Sequence, residues 1–75
     1  MSVQYRVAFC KNDESVEGPD DASLVVTIPA SDAALDPTVA FMLGRLKSTG
    51  PTGELFAVLA DGSARSAISR LASRP

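Results

Sequence analysis

Nine serines, one cysteine, one tyrosine and no histidine bound the chemistry that these 75 residues can attempt. A serine nucleophile needs a group to take its proton, and without histidine only a lysine or a carboxylate can serve. No spacing in the chain singles one out. Cys10 is alone, which excludes an intramolecular disulfide, and the usual zinc ligand sets cannot be assembled without histidine. A lone thiol of this kind fits a reducing compartment, where it acts as a small, semi-buried apolar group. Asp20-Asp21 sits between Pro19 and an apolar run, the setting of a turn rather than of a metal or acid/base pair. Leu46-Lys47-Ser48 ends like a phosphate-binding loop, but Leu46 stands where that loop requires glycine and no cradle of glycines precedes it. Aspartates, Tyr5 and Cys10 can each move protons when buried, yet no catalytic motif gathers them. The expectation is a chain without catalytic residues, metal or cofactor.

What the chain offers at useful spacing is apolar. Phe41, Met42, Leu46, Leu55, Phe56 and Leu59 fall on facing helix and strand surfaces and form the candidate ligand-binding set. An unbranched thioether and flat rings tolerate ligands of changing shape; the same spacing also builds ordinary core. Arg45 and Lys47 are interleaved with this set. On an edge strand they would point to one side, either to meet a carboxylate or phosphate head group or to guard the exposed edge with two solvated charges.

These side chains need elements to position them. Val3, Tyr5, Val7 and Phe9 alternate with Gln4, Arg6, Ala8 and Cys10, the period of a strand with one buried face. Lys11 to Glu14 is a polar turn, and Ser15-Val16-Glu17 is a short return arm before Gly18-Pro19-Asp20-Asp21 breaks the backbone. Ser23 to Pro29 is β-branched and apolar, a central strand that Pro29 ends. Ser31 is placed to cap a short turn through Leu35. Asp36-Pro37 then opens a helix with a capping carboxylate and a proline at its first position, and Gly44 closes it. Arg45 to Thr49 suits an edge strand closed by Gly50-Pro51. Thr52 is placed to cap a helix carrying Leu55, Phe56, Val58 and Leu59 and ended by Asp61-Gly62. Ser63 is placed to cap a last helix with Ala64, Ala67, Ile68 and Leu71 on one face.

The stretch from Asp36 to Gly50 resembles the signature of the sterol carrier protein family of the second type, particularly its short bacterial members. There a segment of the form D-P-x-x-A-[FY]-M-x-G-[RK]-[LM]-K-x-x-G leads from a helix into a strand. Asp36, Pro37, Ala40, Phe41, Met42, Gly44, Arg45, Leu46, Lys47 and Gly50 fit it. The resemblance runs from about Tyr5 to Leu59 and is strong only at its centre. It implies a twisted sheet with helices on one side and lipids, acyl chains or sterols held between them. Two departures remove tunnel wall: only Pro29 to Leu35 stand where the family has a longer helix, and the family's amino-terminal helix has no counterpart before Val3. A groove completed by a second subunit follows from these departures.

Composition sets the remaining bounds. The net charge is −2, with Asp13, Glu14, Glu17, Asp20, Asp21, Asp32 and Asp36 in the first half and Arg45, Lys47, Arg65, Arg70 and Arg74 in the second. Such a division polarises the surface, but neither a dense basic stripe nor a stacking platform for nucleic acid is present. Arg6 and Gln4 interrupt any signal-peptide core, and no run approaches the ~18 apolar residues of a spanning helix. A domain this small buries only about 60% of its unfolded surface, so a ligand or a second subunit is the expected source of added stability. The sequence thus predicts a single α/β (α+β) domain over residues 1–75. Its small twisted, mostly antiparallel sheet of three or four strands carries two or three helices on one face, as in a truncated sterol-carrier-like fold. The expected function is cytoplasmic, non-enzymatic binding of a hydrophobic small molecule in an apolar groove, by a homodimer. The alternatives are an accessory module that grips a protein partner, such as an enzyme of lipophilic metabolite biosynthesis, and a small enzyme or cyclisation chaperone that orients a lipophilic substrate.

Overall fold

The computed structural model describes residues 2–10 and 13–73. The strand β1 (Val3–Cys10) turns back into β2 (Asp13–Glu17), which is followed by β3 (Leu24–Pro29) and a single 3-10 turn at Ala30–Asp32. Helix α1 (Pro37–Met42), the short strand β4 (Lys47–Thr49), α2 (Thr52–Ala60) and α3 (Ser63–Ala72) complete the chain. The return arm is two residues longer than its apolar pattern suggests, and Lys11 and Asn12 of the expected turn lie outside the described residues.

The four strands form one sheet in the order β2-β1-β3-β4. Two pairings are antiparallel, β1 with β2 and β3 with β4, while the central pair β1 and β3 runs parallel. The sheet is therefore mixed, and the fold is α+β with three helices, as the hydrophobic periods require. The parallel pair arises because residues 18–23 carry the chain from the end of β2 past the start of β1. Leu24 N–H donates to the Ser2 carbonyl at 3.2 Å, Ser23 N–H donates to Ser2 Oγ and Ser23 Oγ to the Ser2 carbonyl, both at 3.0 Å. Gly18, at φ 115°, presses against this crossing: a Cβ there would lie 2.3 Å from the Val3 carbonyl oxygen.

The parallel register Tyr5 to Val26 and Val7 to Ile28 puts the odd residues of β1 and the even residues of β3 on one face. That face meets the helices: α3 packs on β1 and β2, and α2 on β3 and α3. Tyr5, Val7, Leu24, Val26, Ile28, Ala40, Leu46, Leu55, Val58, Ala64, Ala67 and Ile68 make the core, with Val3 and Phe9 half-buried at its margin. Gln4 lies on the opposite face yet is only 1% exposed. Its Nε2 donates to the Pro19 carbonyl at 3.1 Å and to Asp20 Oδ1 at 3.2 Å, and its Oε1 accepts from Arg6 Nε at 2.8 Å. Both amide hydrogens and the oxygen are thus answered, which is what makes a buried glutamine tolerable.

Helix starts follow the sequence at α1 and depart from it elsewhere: Ser31, expected as a cap, lies inside the 3-10 turn, whose cap position is Pro29. Asp36 caps α1, its Oδ1 accepting from Thr38 N–H at 2.9 Å, and Gly44 at φ 76° ends that turn. Thr52 and Ser63, expected as caps, are instead the first helical residues; the cap positions are Pro51 and Gly62, and neither supplies a side-chain bond. Asp61 takes over that work for α3 by accepting from Ser63 N–H at 2.8 Å. Cys10, expected to be semi-buried, is exposed, because it ends β1 beyond the reach of the helices.

Candidate functional site

The six apolar residues singled out by spacing divide three ways. Leu46 and Leu55 are core side chains, and Phe41 and Leu59 pack against that core half-buried. Met42 and Phe56 are 78% and 52% exposed. Phe41 and Phe56 meet edge to face, their ring centroids 5.9 Å apart, an arrangement that aromatic quadrupoles favour. Two further apolar side chains are exposed, Val39 at 44% and Leu43 at 61%. Val39, Met42 and Leu43 are spaced three and four apart, so one side of α1 carries all three. α1 thus carries an exposed apolar side, and Phe41 on its other side meets Phe56 of α2.

This face exists because α1 is only six residues long and buries just Pro37 and Ala40. Phe41 packs against the core half-buried, and Val39 and Met42 stay uncovered. Two exposed ion pairs flank the helix: Arg45 Nη1 lies 3.4 Å from Asp32 Oδ1, and Arg65 Nη1 lies 4.0 Å from Asp36 Oδ2. Arg45 precedes β4 rather than belonging to it, so the expected shared side for Arg45 and Lys47 does not arise. Lys47 opens β4 opposite Thr27, on the sheet face away from the helices.

A second feature was not anticipated. Tyr5, Asp61, Gly62, Ser63, Ser66, Ala67 and Arg70 line an open pocket of about 380 Å³. None of the six apolar candidates lines it. Ser63, Ser66, Ala67 and Arg70 fall at offsets of three, four and seven, one helical face of α3, and Tyr5 rises to meet them from β1. Glu17, opposite Tyr5 in the sheet, receives Arg70 in a two-point contact, with Nε to Oε1 at 3.2 Å and Nη2 to Oε2 at 2.6 Å. This pairing holds the Glu17 carboxyl below the usual glutamate range and the Arg70 guanidinium above its own. Hydrogen bonds from the Ser63 side chain and backbone lower Asp61 in the same way. Burial raises the Tyr5 phenol, and the Asp61 and Glu17 carboxylates raise it further against the opposing Arg70 charge. At neutral pH Tyr5 is therefore a neutral hydroxyl, able to donate and accept.

The signal for this pocket is the polar stripe of Ser63, Ser66 and Arg70, one step around α3 from the apolar stripe of Ala64, Ala67, Ile68 and Leu71. Apolar periodicity alone does not mark it. No helix among the described residues is long and apolar enough to cross a membrane. No known family model, curated protein or solved structure matches the chain.

Proposed function

We propose that this chain is a non-enzymatic binding module whose working surface is the α1 and α2 apolar face, covered by a second copy of the chain with a hydrophobic small molecule held at the seam. The observation that carries the reading is the exposure of Val39, Met42 and Leu43 along one side of α1, with Phe56 of α2 exposed as well, since small domains keep several apolar side chains uncovered on one element chiefly where something binds. The flanking pairs Asp32–Arg45 and Asp36–Arg65 suit a second copy in particular. A rim carrying both signs is self-complementary about a two-fold axis, where each acid of one copy can meet a base of the other. Leu46 and Leu55 are committed to the core, which favours a second reading in which the same face grips a different protein and holds no small molecule.

Native mass spectrometry of freshly purified chain, followed by organic extraction, separates these outcomes. A dimer with a lipid-sized adduct supports the first reading, and an apo chain that recovers its dimer state only with another protein supports the second. Met42→Glu removes apolar area from the centre of the face without touching the core, so it is expected to shift the dissociation constant of the dimer upward at least tenfold while leaving the circular dichroism spectrum unchanged. A wild-type chain that sediments as a monomer at high micromolar concentration, with or without extract, refutes the self-association.

A further inference from the structure

We propose that the pocket between Tyr5 and the first two turns of α3 is a binding site for a small neutral polyol, separate from the apolar face. Tyr5 is only 7% exposed, and its hydroxyl makes no hydrogen bond to any described residue. No sealed side-chain polar atom among the described residues lacks a partner, so this hydroxyl opens onto the pocket that Tyr5 lines rather than into packed core. A hydroxyl carried on a largely buried ring and turned to an open pocket is fixed in position to meet a bound polar group, because no described side chain competes for it.

The class of ligand follows from which lining groups are already answered. Arg70 gives Nε and Nη2 to Glu17, and Asp61 receives Ser63. Both charges on the pocket wall are thus internally matched. A phosphate or carboxylate ligand would face the Asp61 carboxylate, and an ammonium ligand would face Arg70. What remains for a ligand are the hydroxyls of Tyr5 and Ser66, which make no side-chain hydrogen bond to a described residue, beside Arg70 Nη1 as a donor and Asp61 Oδ2 as an acceptor, neither used in the pairs with Glu17 and Ser63. Hydroxyls both donate and accept, so a ring or short chain of hydroxyls answers them without bringing a charge. A pocket of about 380 Å³ lies within the usual range for small-molecule sites.

The test is a titration of the isotope-labelled chain with myo-inositol, with inorganic phosphate and putrescine in parallel, following the amide signals of Gly62, Ser63 and Ser66. Saturable shifts confined to this pocket with the polyol, and weakened about fivefold to tenfold in Tyr5→Phe as expected for one lost hydrogen bond, bear the proposal out. Tyr5→Phe keeps the ring that packs against the core, and Ser66→Ala on the exposed side of α3 serves as a second variant with the same expectation. The proposal falls if myo-inositol produces no saturable shift, if phosphate or putrescine saturates the same signals instead, or if neither variant weakens binding.

Discussion

Tyr5 is the chain's single tyrosine, and no tryptophan is present, so the near-ultraviolet absorbance of the protein above neutral pH reports on one phenol. Its ionisation is expected above the ordinary value of about 10, chiefly through burial, with Asp61 and Glu17 adding to the shift. Asp61→Asn removes one of these negative fields and is expected to bring the titration down, whereas substitution of Asp21, which is not among the charges that shift Tyr5, leaves it in place. The sign of the linked stability follows. A phenol whose folded-state pKa is raised favours the folded chain while it is protonated, so this contribution is whole below the unfolded value and is lost as pH rises through the folded one. A spectrophotometric titration of both variants checks the assignment, and a Tyr5 that titrates at or below the free value would contradict the burial described for it.

The elements are joined by two close backbone crossings, at Gly18 and Gly50, where the chain passes the starts of β1 and β3. Gly50 has φ 128°, and a Cβ on it would lie 2.3 Å from the Ser23 carbonyl oxygen and 3.0 Å from Leu24 Cα. Both obstacles are backbone, so neither can rotate away. Gly50→Ala is expected to destabilise the fold by about 2–4 kcal/mol, combining an unfavourable φ with a steric clash. Gly53, in the first turn of α2, has open space around its Cβ position, and Gly53→Ala should stabilise by ~0.5–1 kcal/mol through helix propensity and a stiffer unfolded chain. Urea denaturation midpoints of the two variants should move in opposite directions; movement in the same direction would mean that the crossing at Gly50 is not tight. The sequence announced most of these elements, because Val3, Tyr5 and Val7 alternate and Ala64, Ala67 and Ile68 recur at helical spacing. It did not announce the parallel pairing of β1 with β3. That depends on which way residues 18–23 pass, and the same passage buries Gln4, a residue whose polarity assigns it to solvent. Of the candidate residues Phe41 and Phe56 come together while Leu46 and Leu55 go to the core, because periodicity cannot tell a side chain that finds a roof from one that does not. Tyr5 was equally ambiguous, since its ring belongs to the core and its hydroxyl to a pocket formed by a helix nearly sixty residues away.

At the scale of the whole molecule the balance is narrow. The chain exposes 4504 Å², against about 11,000 Å² for an unfolded chain of its mass, and its radius of gyration of 11.1 Å matches the ~11 Å expected of a well-packed chain of this length. The core is thus as compact as a domain of 75 residues allows, and the thinness of the stability margin comes from size rather than from poor packing. Uncovered apolar side chains on α1 add nothing to that margin in a single copy. If a second copy covers them, association draws the folding equilibrium with it, and the thermal midpoint should rise with protein concentration as binding to the folded state alone requires. Across a hundredfold range above the dissociation constant, stabilisation by mass action amounts to about 2.7 kcal/mol per bound partner, which in a domain this small corresponds to a displacement of ten degrees or more. Met42→Glu should flatten this dependence while leaving the midpoint at the lowest concentrations near that of the wild type, because Met42 contributes little to the single chain's core. A wild-type midpoint that stays constant over the same range would show that the α1 and α2 face does not pair with itself, and would leave the face to a different partner without disturbing the pocket beneath α3.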